Sequence, residues 1–170
     1  MNNTQVVISP ITRLHKRSSF VCEEQRITNY FINNARKEHD LYKVRVFVAC
    51  EPDSLVAIGF YSLVITSVAL KESPEEAQEK FERVDAMPAI YLAGVARHLD
   101  QKGKGVGKAL LEDAFKRALL ISEHAGAYAL VLDAKNEKLA NIYEGYGFER
   151  FTDESLKMFI ALKVLRDAAI

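Results

Sequence analysis

Residues 102–108, Lys-Gly-Lys-Gly-Val-Gly-Lys, have the types and spacing to hold an anion. They follow an apolar run, residues 89–96, and open an amphipathic run from Val106 to Ile121. A strand, a glycine turn and a helix start aim several backbone N–H groups at one point. Gly103, Gly105 and Gly107 keep Cβ atoms away, so backbone can approach the ligand closely. Lys102, Lys104 and Lys108 add positive charge at the same place. The anion such a loop suits best is a pyrophosphate. It is not a Walker loop, because Ala109 follows Lys108 where Ser or Thr is required. Nor does the sequence after it place an acid on a second parallel strand at the distance a dinucleotide fingerprint needs. Alone, the glycines also suit a turn that merely caps a helix.

The second half of the chain adds to this. Residues 128–132, Tyr-Ala-Leu-Val-Leu, have strand character. Asn136 can cap a helix that carries Ala140, Ile142 and Tyr143, and Gly147 stops it. Strand, helix and strand in that order bring the Tyr143 hydroxyl close to the anion site.

The elements that must position these groups are expected in this order: strand (Val6–Pro10), helix (Ile27–Glu38), strand (Val44–Cys50), strand (Leu55–Val68), helix (Pro74–Val84), strand (Ala89–His98), helix (Gly107–His124), strand (Ala127–Leu132), helix (Asn136–Tyr146), strand (Leu156–Leu162). That is an α/β domain with a central mixed sheet flanked by helices. An acidic segment, about residues 71–85, reads as an inserted helix, with Ser73-Pro74-Glu75-Glu76 as a capping box. No repeat or linker divides the chain, so one domain over residues 1–170 is expected.

The order Gly105-x-Gly107, then Asn136, Ala140, Tyr143 and Gly147-Phe148, resembles the GNAT N-acetyltransferase superfamily. Members bind acetyl-CoA through a loop of the form Gln/Arg-x-x-Gly-x-Gly/Ala; here Lys102 stands first, a point charge without arginine's fork. The resemblance implies a sheet in which two parallel strands, Ala89–His98 and Ala127–Leu132, splay apart to admit the coenzyme. Backbone groups at Val95 and Arg97 would pair with its pantetheine arm like an added strand. The loop groups Lys102, Gly103, Lys104, Gly105, Val106, Gly107 and Lys108, with Asn136, complete the expected cofactor contacts.

A narrower resemblance, to the GNAT toxins of bacterial toxin–antitoxin pairs, covers nearly the whole chain. It rests on Phe20-Val-Cys22, Ile27-Thr-Asn-Tyr30-Phe31 and Ala35-Arg36-Lys37, then on Ala109-Leu110-Leu111-x-Asp113-Ala114 and Ala134-Lys135 before Asn136. Glu23 departs from it, standing where the family has glycine after the cysteine. The resemblance implies acetylation of the α-amine of aminoacyl-tRNA, a block on translation, a ribbon–helix–helix antitoxin as partner, and leaves open a homodimer. The alternative is a GNAT enzyme acting on a small amine or a protein N-terminus. A non-catalytic coenzyme sensor would have a degenerate loop or lack the tyrosine.

Composition is compatible with this. Net charge is zero, yet residues 1–50 hold eight Lys/Arg against four acids. That basic third is either a set of solvated helix faces or a phosphate-binding surface, and in the second case Arg36, Lys37 and Arg45 are the candidate tRNA contacts. No apolar stretch is long enough to span a membrane, and the first residues lack a secretory pattern, so a cytoplasmic enzyme is expected. Cys22 and Cys50 lack metal spacing, so no metal site is expected and the thiols should be reduced. For the chemistry, the thiolate leaving group needs a proton, and Tyr143 is the expected general acid, unless it only packs against the cofactor. No clear general base is present; His98 has position alone in its favour. An α-amine near ~7.7–8 needs less help than a lysine at ~10.4.

Overall fold

The apolar run 46–50 is buried along its whole length, as a strand covered on both faces must be. It forms β2 (Arg45–Cys50), one of seven strands in the computed structural model, which describes residues 3–168. The others are β1 (Val7–Pro10), β3 (Gly59–Ala69), β4 (Ala86–Arg97), β5 (Ala129–Asp133), β6 (Glu149–Arg150) and β7 (Lys157–Ala161). The helices are α1 (Gln25–Asn33), α2 (Ala35–Asp40), α3 (Glu75–Lys80), α4 (Val106–Ser122), α5 (Glu137–Gly145) and α6 (Leu162–Ala168). The strands form one sheet, ordered β1-β2-β3-β4-β5-β7-β6. The ladders β1–β2, β2–β3, β5–β7 and β6–β7 are antiparallel, and β4–β5 is parallel. The sheet is therefore mixed, as expected.

The chain divides into two compact units, one running up to Val64 and including Ala93–Ala114, the other holding Ile65–Leu92 and the chain from Phe115 on. The first packs around Phe20, Phe31 and Phe60: Phe31 and Phe60 stack at 4.1 Å between ring centroids, and Phe20 meets Phe31 edge-on at 4.8 Å. Buried Cys22 and Cys50 are free thiols in this unit. The second packs around Val68, Ala77, Met87, Ala89, Ala129, Val131 and Phe159.

Several element boundaries differ from expectation. The single helix expected over residues 27–38 is two helices, because Asn34 leaves helical geometry (φ −124°, ψ −30°). Asparagine competes with the helical backbone for hydrogen bonds, and Asn33 precedes it. The break lets buried His39 accept from the Val46 N–H through Nδ1 at 2.9 Å, tying α2 to β2. Residues 55–58 lie outside β3, since Leu55 and Ala57 bond instead to Lys16. The insert helix is only six residues long, and no capping box forms. Ser73 donates its hydroxyl to the Ala69 carbonyl rather than accepting from the helix start. The helix stops where Phe81 turns away (φ −114°, ψ 30°) and its ring meets Tyr128 edge-on at 5.8 Å. Two short 3-10 turns (Leu70–Glu72, Leu99–Gln101), β6 and α6 were not expected.

Candidate active site

Two turns shape the loop after β4. Lys104 donates its N–H to the Gln101 carbonyl at 3.1 Å, and Gly103 and Gly105 take φ of +76° and +80°, which glycine adopts at no steric cost. The Ala109 N–H donates to the Gly105 carbonyl at 3.0 Å. The N–H groups of Val106, Gly107 and Lys108 therefore precede the first intrahelical bond of α4 and point out of the helix end. Gly107 is informative for the opposite reason. Its φ lies outside the left-handed region, and a Cβ there would meet nothing within 4 Å. The fold does not require glycine at this position, and glycine costs a helix about 1 kcal/mol relative to alanine. A phosphate approaching the backbone would require it. The Lys108 ammonium lies 3.8 Å from Glu112, one turn along the helix.

The loop is held from outside by residues the sequence did not single out. The Thr4 N–H donates to the Lys104 carbonyl at 2.9 Å, and the Thr4 hydroxyl donates to Gln101 Oε1 at 3.0 Å. Asn3 lies over Gly105, its Cγ 3.1 Å from where a Cβ would stand. The first of these contacts engages the Lys104 carbonyl, an oxygen that would repel an anion. Thr4→Val keeps the backbone bond and removes the hydroxyl. It should weaken acetyl-CoA binding by about 2- to 10-fold, the size of one net hydrogen bond, with Thr4→Ser restoring it. Calorimetry with acetyl-CoA measures this.

The parallel ladder of β4 on β5 pairs Ala89 with Ala129, Ile90 with Leu130 and Tyr91 with Val131. Both strands continue past that register, β4 to Arg97 and β5 to Asp133. Tyr91 donates its hydroxyl to Asp133 at 2.7 Å across the end of the ladder. Burial first, and then the Asp133 carboxylate, push that phenol up to about 12.

Val95 and Arg97 lie on the far part of β4. Arg97 donates through Nη2 to Glu23 Oε1 at 3.2 Å, while its Nη1 is buried without a hydrogen-bond partner. Glu23, the departure from the toxin pattern, thus supplies the carboxylate that Arg97 uses. His98 follows. Its Nδ1 accepts from the Asp100 N–H at 3.0 Å, and its Nε2 lies 3.0 Å from the Ser19 carbonyl. A carbonyl only accepts, so Nε2 carries the proton and both ring nitrogens are engaged. His98 thus caps the turn that follows it.

Asn136 and Tyr143 sit at the two ends of α5. Asn136 Oδ1 accepts from the Leu139 N–H at 2.9 Å, the expected cap, and its amide NH₂ takes no part in that bond. At the other end, the Gly147 N–H donates to Glu144 at 3.0 Å and the Phe148 N–H to Tyr143 at 3.1 Å. With Gly147 at φ +102°, this is a Schellman stop. Its apolar contact is the Tyr143 ring, edge-on to Phe148 at 5.7 Å. Arg150 on β6 bonds to Glu137 at 2.8 Å and to Glu144, gripping both ends of the helix. Tyr143 is half-buried, and burial raises its phenol above the ordinary value.

Arg36 and Lys37 are exposed on α2, with Arg36 3.3 Å from Asp40. Arg45 is half-buried, donates to the His39 carbonyl at 3.2 Å and lies over the Tyr42 ring at 5.0 Å. The three expected phosphate contacts thus fall at the α2–β2 junction. The loop groups, Val95 and Arg97 belong to the same unit as these, and Asn136 and Tyr143 to the other. Among the described residues there is no metal-binding cluster and no helix long and apolar enough to cross a membrane.

No protein-family model matches the chain. It is 27% identical to a probable toxin TacT of Sinorhizobium fredii, with 94% of this chain and 93% of that protein covered. It is 28% identical to a tRNA-acetylating toxin of Mycobacterium tuberculosis, covering 88% of this chain and 87% of that one. Among solved structures, a Tyr-to-Phe variant of KacT superposes with a TM-score of 0.89 at 22% identity, covering 97% of this chain and 99% of that one. AtaT complexed with acetyl-methionyl-tRNAfMet gives 0.88 at 19% identity, over 98% of this chain and all of that one. AtaTR bound with acetyl-CoA gives 0.84 at 20% identity, over 97% and 98%. The chain has the GNAT fold, and its resemblance to the GNAT toxins extends over nearly its whole length.

Proposed function

We propose that this chain is an acetyl-CoA-dependent N-acetyltransferase that acetylates the α-amine of aminoacyl-tRNA and so blocks translation. The observation that carries the reading is the likeness, over 88% of the chain, to a tRNA-acetylating toxin, met here by a loop and a tyrosine of the kinds that reaction needs. The N–H groups at the start of α4, with the lysine charges, bind the pyrophosphate. Val95 and Arg97 pair with the pantetheine arm, and the Asn136 amide adds a polar contact. The neutral amine attacks the thioester carbonyl, the C–S bond breaks, and Tyr143 gives its proton to the departing thiolate. The amine proton leaves to solvent, and Tyr143 is reprotonated from water. An α-amine is partly neutral at physiological pH, so no strong base is required. The whole chain serves as one catalytic domain, working in the cytoplasm where charged tRNA is found, and a ribbon–helix–helix antitoxin restrains it.

The test is transfer of labelled acetyl from acetyl-CoA to total charged tRNA. Label that appears on charged tRNA and not on deacylated tRNA supports the reading. Label confined to small amines or protein N-termini overturns it. Arg36, Lys37 and Arg45 bind tRNA phosphates in this scheme. Replacing all three by Ala should make the log–log salt dependence of tRNA binding shallower by roughly 0.7–0.9 for each phosphate no longer neutralised. Acetylation of a small amine analogue should be spared.

A further inference from the structure

Tyr42 is 82% exposed and sits at φ +59°, a left-handed conformation that bulky side chains rarely adopt. The surroundings impose it. The Tyr42 N–H donates to the His39 carbonyl at 3.0 Å, and the next N–H, of Lys43, donates back to the Glu38 carbonyl at 3.0 Å. The Arg45 guanidinium lies over the ring at 5.0 Å and is itself anchored to the His39 carbonyl at 3.2 Å. One face of the ring is thus backed by a cation. Exposed Lys43 follows it in the chain, and exposed Arg36 and Lys37 lie on α2, the helix that ends just before it. The two N–H bonds of Tyr42 and Lys43 end α2, and glycine or asparagine ordinarily fills the left-handed position of such a stop, so a tyrosine there, with its ring open to solvent and a cation over one face, is out of the ordinary.

We propose that Tyr42 is a base-stacking platform for a single-stranded RNA end, with Arg45 setting the ring's orientation and Arg36, Lys37 and Lys43 tracking the phosphates beside it. Single-stranded nucleic acid is recognised by this combination of an aromatic face and a basic groove. A duplex would be met by the cations alone. The ring adds affinity for unpaired bases, as at the acceptor end of a tRNA. The inference rests on the aminoacyl-tRNA reading and names a residue that binds that acceptor.

The test separates ring from charge. Tyr42→Asn removes the ring and suits the left-handed backbone, so the fold is kept. It should raise the KM for charged tRNA about tenfold, the scale of one stacked base, with kcat and the KM for acetyl-CoA unchanged. Tyr42→Phe should restore the KM. The salt dependence of tRNA binding should keep its slope in both variants, because no cation is removed. An unchanged KM in Tyr42→Asn overturns the proposal, as does a loss that Phe fails to restore. So does a shallower salt slope, which would make Tyr42 a mere support for the cations. A variant that keeps RNA affinity and loses affinity for a protein partner would reassign the surface to that partner. If the wild type transfers no acetyl to charged tRNA, the functional reading fails. The platform is then judged by direct binding of a short single-stranded RNA, which Tyr42→Asn must weaken and Tyr42→Phe must restore.

Discussion

Replacing Tyr143 by Phe is expected to lower kcat by about 10²–10⁴-fold and leave acetyl-CoA affinity unchanged. The ring keeps its edge contact with Phe148, so the helix stop and the local packing survive. Only the hydroxyl is removed, the proton donor of the proposed mechanism. Steady-state kinetics beside calorimetry separate the two effects; a rate close to wild type would mean that another group protonates the thiolate. The pH dependence supplies a second reading. In the proposed mechanism the working form of Tyr143 is protonated, and burial raises its phenol, so that form is complete at neutral pH and lost only as pH rises past the raised value. Between about pH 6 and 9 the only expected change is a rise in kcat/KM as the acceptor amine deprotonates, at or below ~8. A falling limb inside that window would reveal an acid weaker in its hold on the proton than Tyr143.

Gly105→Asp is expected to weaken acetyl-CoA binding by about 100-fold or more. The new Cβ would stand 3.1 Å from Asn3, and the carboxylate would add a negative charge to the loop proposed to hold a pyrophosphate. Aspartate tolerates a left-handed φ better than most residues, so at +80° the chain should still fold. Gly105→Asn has nearly the same shape without the charge, and should lose less. Calorimetry on the pair assigns the difference to electrostatics. Unchanged affinity in Gly105→Asp would remove the loop from the site.

Much of this arrangement was legible in the residues. Glycines bracketing a helix start, and an asparagine and a glycine bracketing α5, are local signals whose geometry depends on a few neighbours. They led directly to the loop, to the Asn136 cap and to the Gly147 stop. Groups engaged by distant partners were not legible. Thr4 reaches Gln101 across 97 positions, and Glu23 reaches Arg97 across 74. No local pattern marks either. Ser73 looked like a cap because its spacing to acids was right, yet its hydroxyl found a carbonyl behind it. His98 had position in its favour, and only the structure shows both its ring nitrogens engaged, with Asp100 and Ser19. Tyr42 carried a faint signal, an aromatic residue between a leucine and bases. What distinguishes it is a backbone angle that composition does not encode.

Where the transferred acetyl group lands decides the function. Charged tRNA, incubated with the wild-type protein and labelled acetyl-CoA, would be digested with ribonuclease and the terminal aminoacyl-adenosine analysed by mass spectrometry. One acetyl group is expected on the α-nitrogen of that amino acid, and none when Tyr143→Phe replaces the wild type over the same interval. Label on a nucleobase, on a side-chain amine or on no part of the aminoacyl-adenosine would contradict aminoacyl-tRNA acetylation.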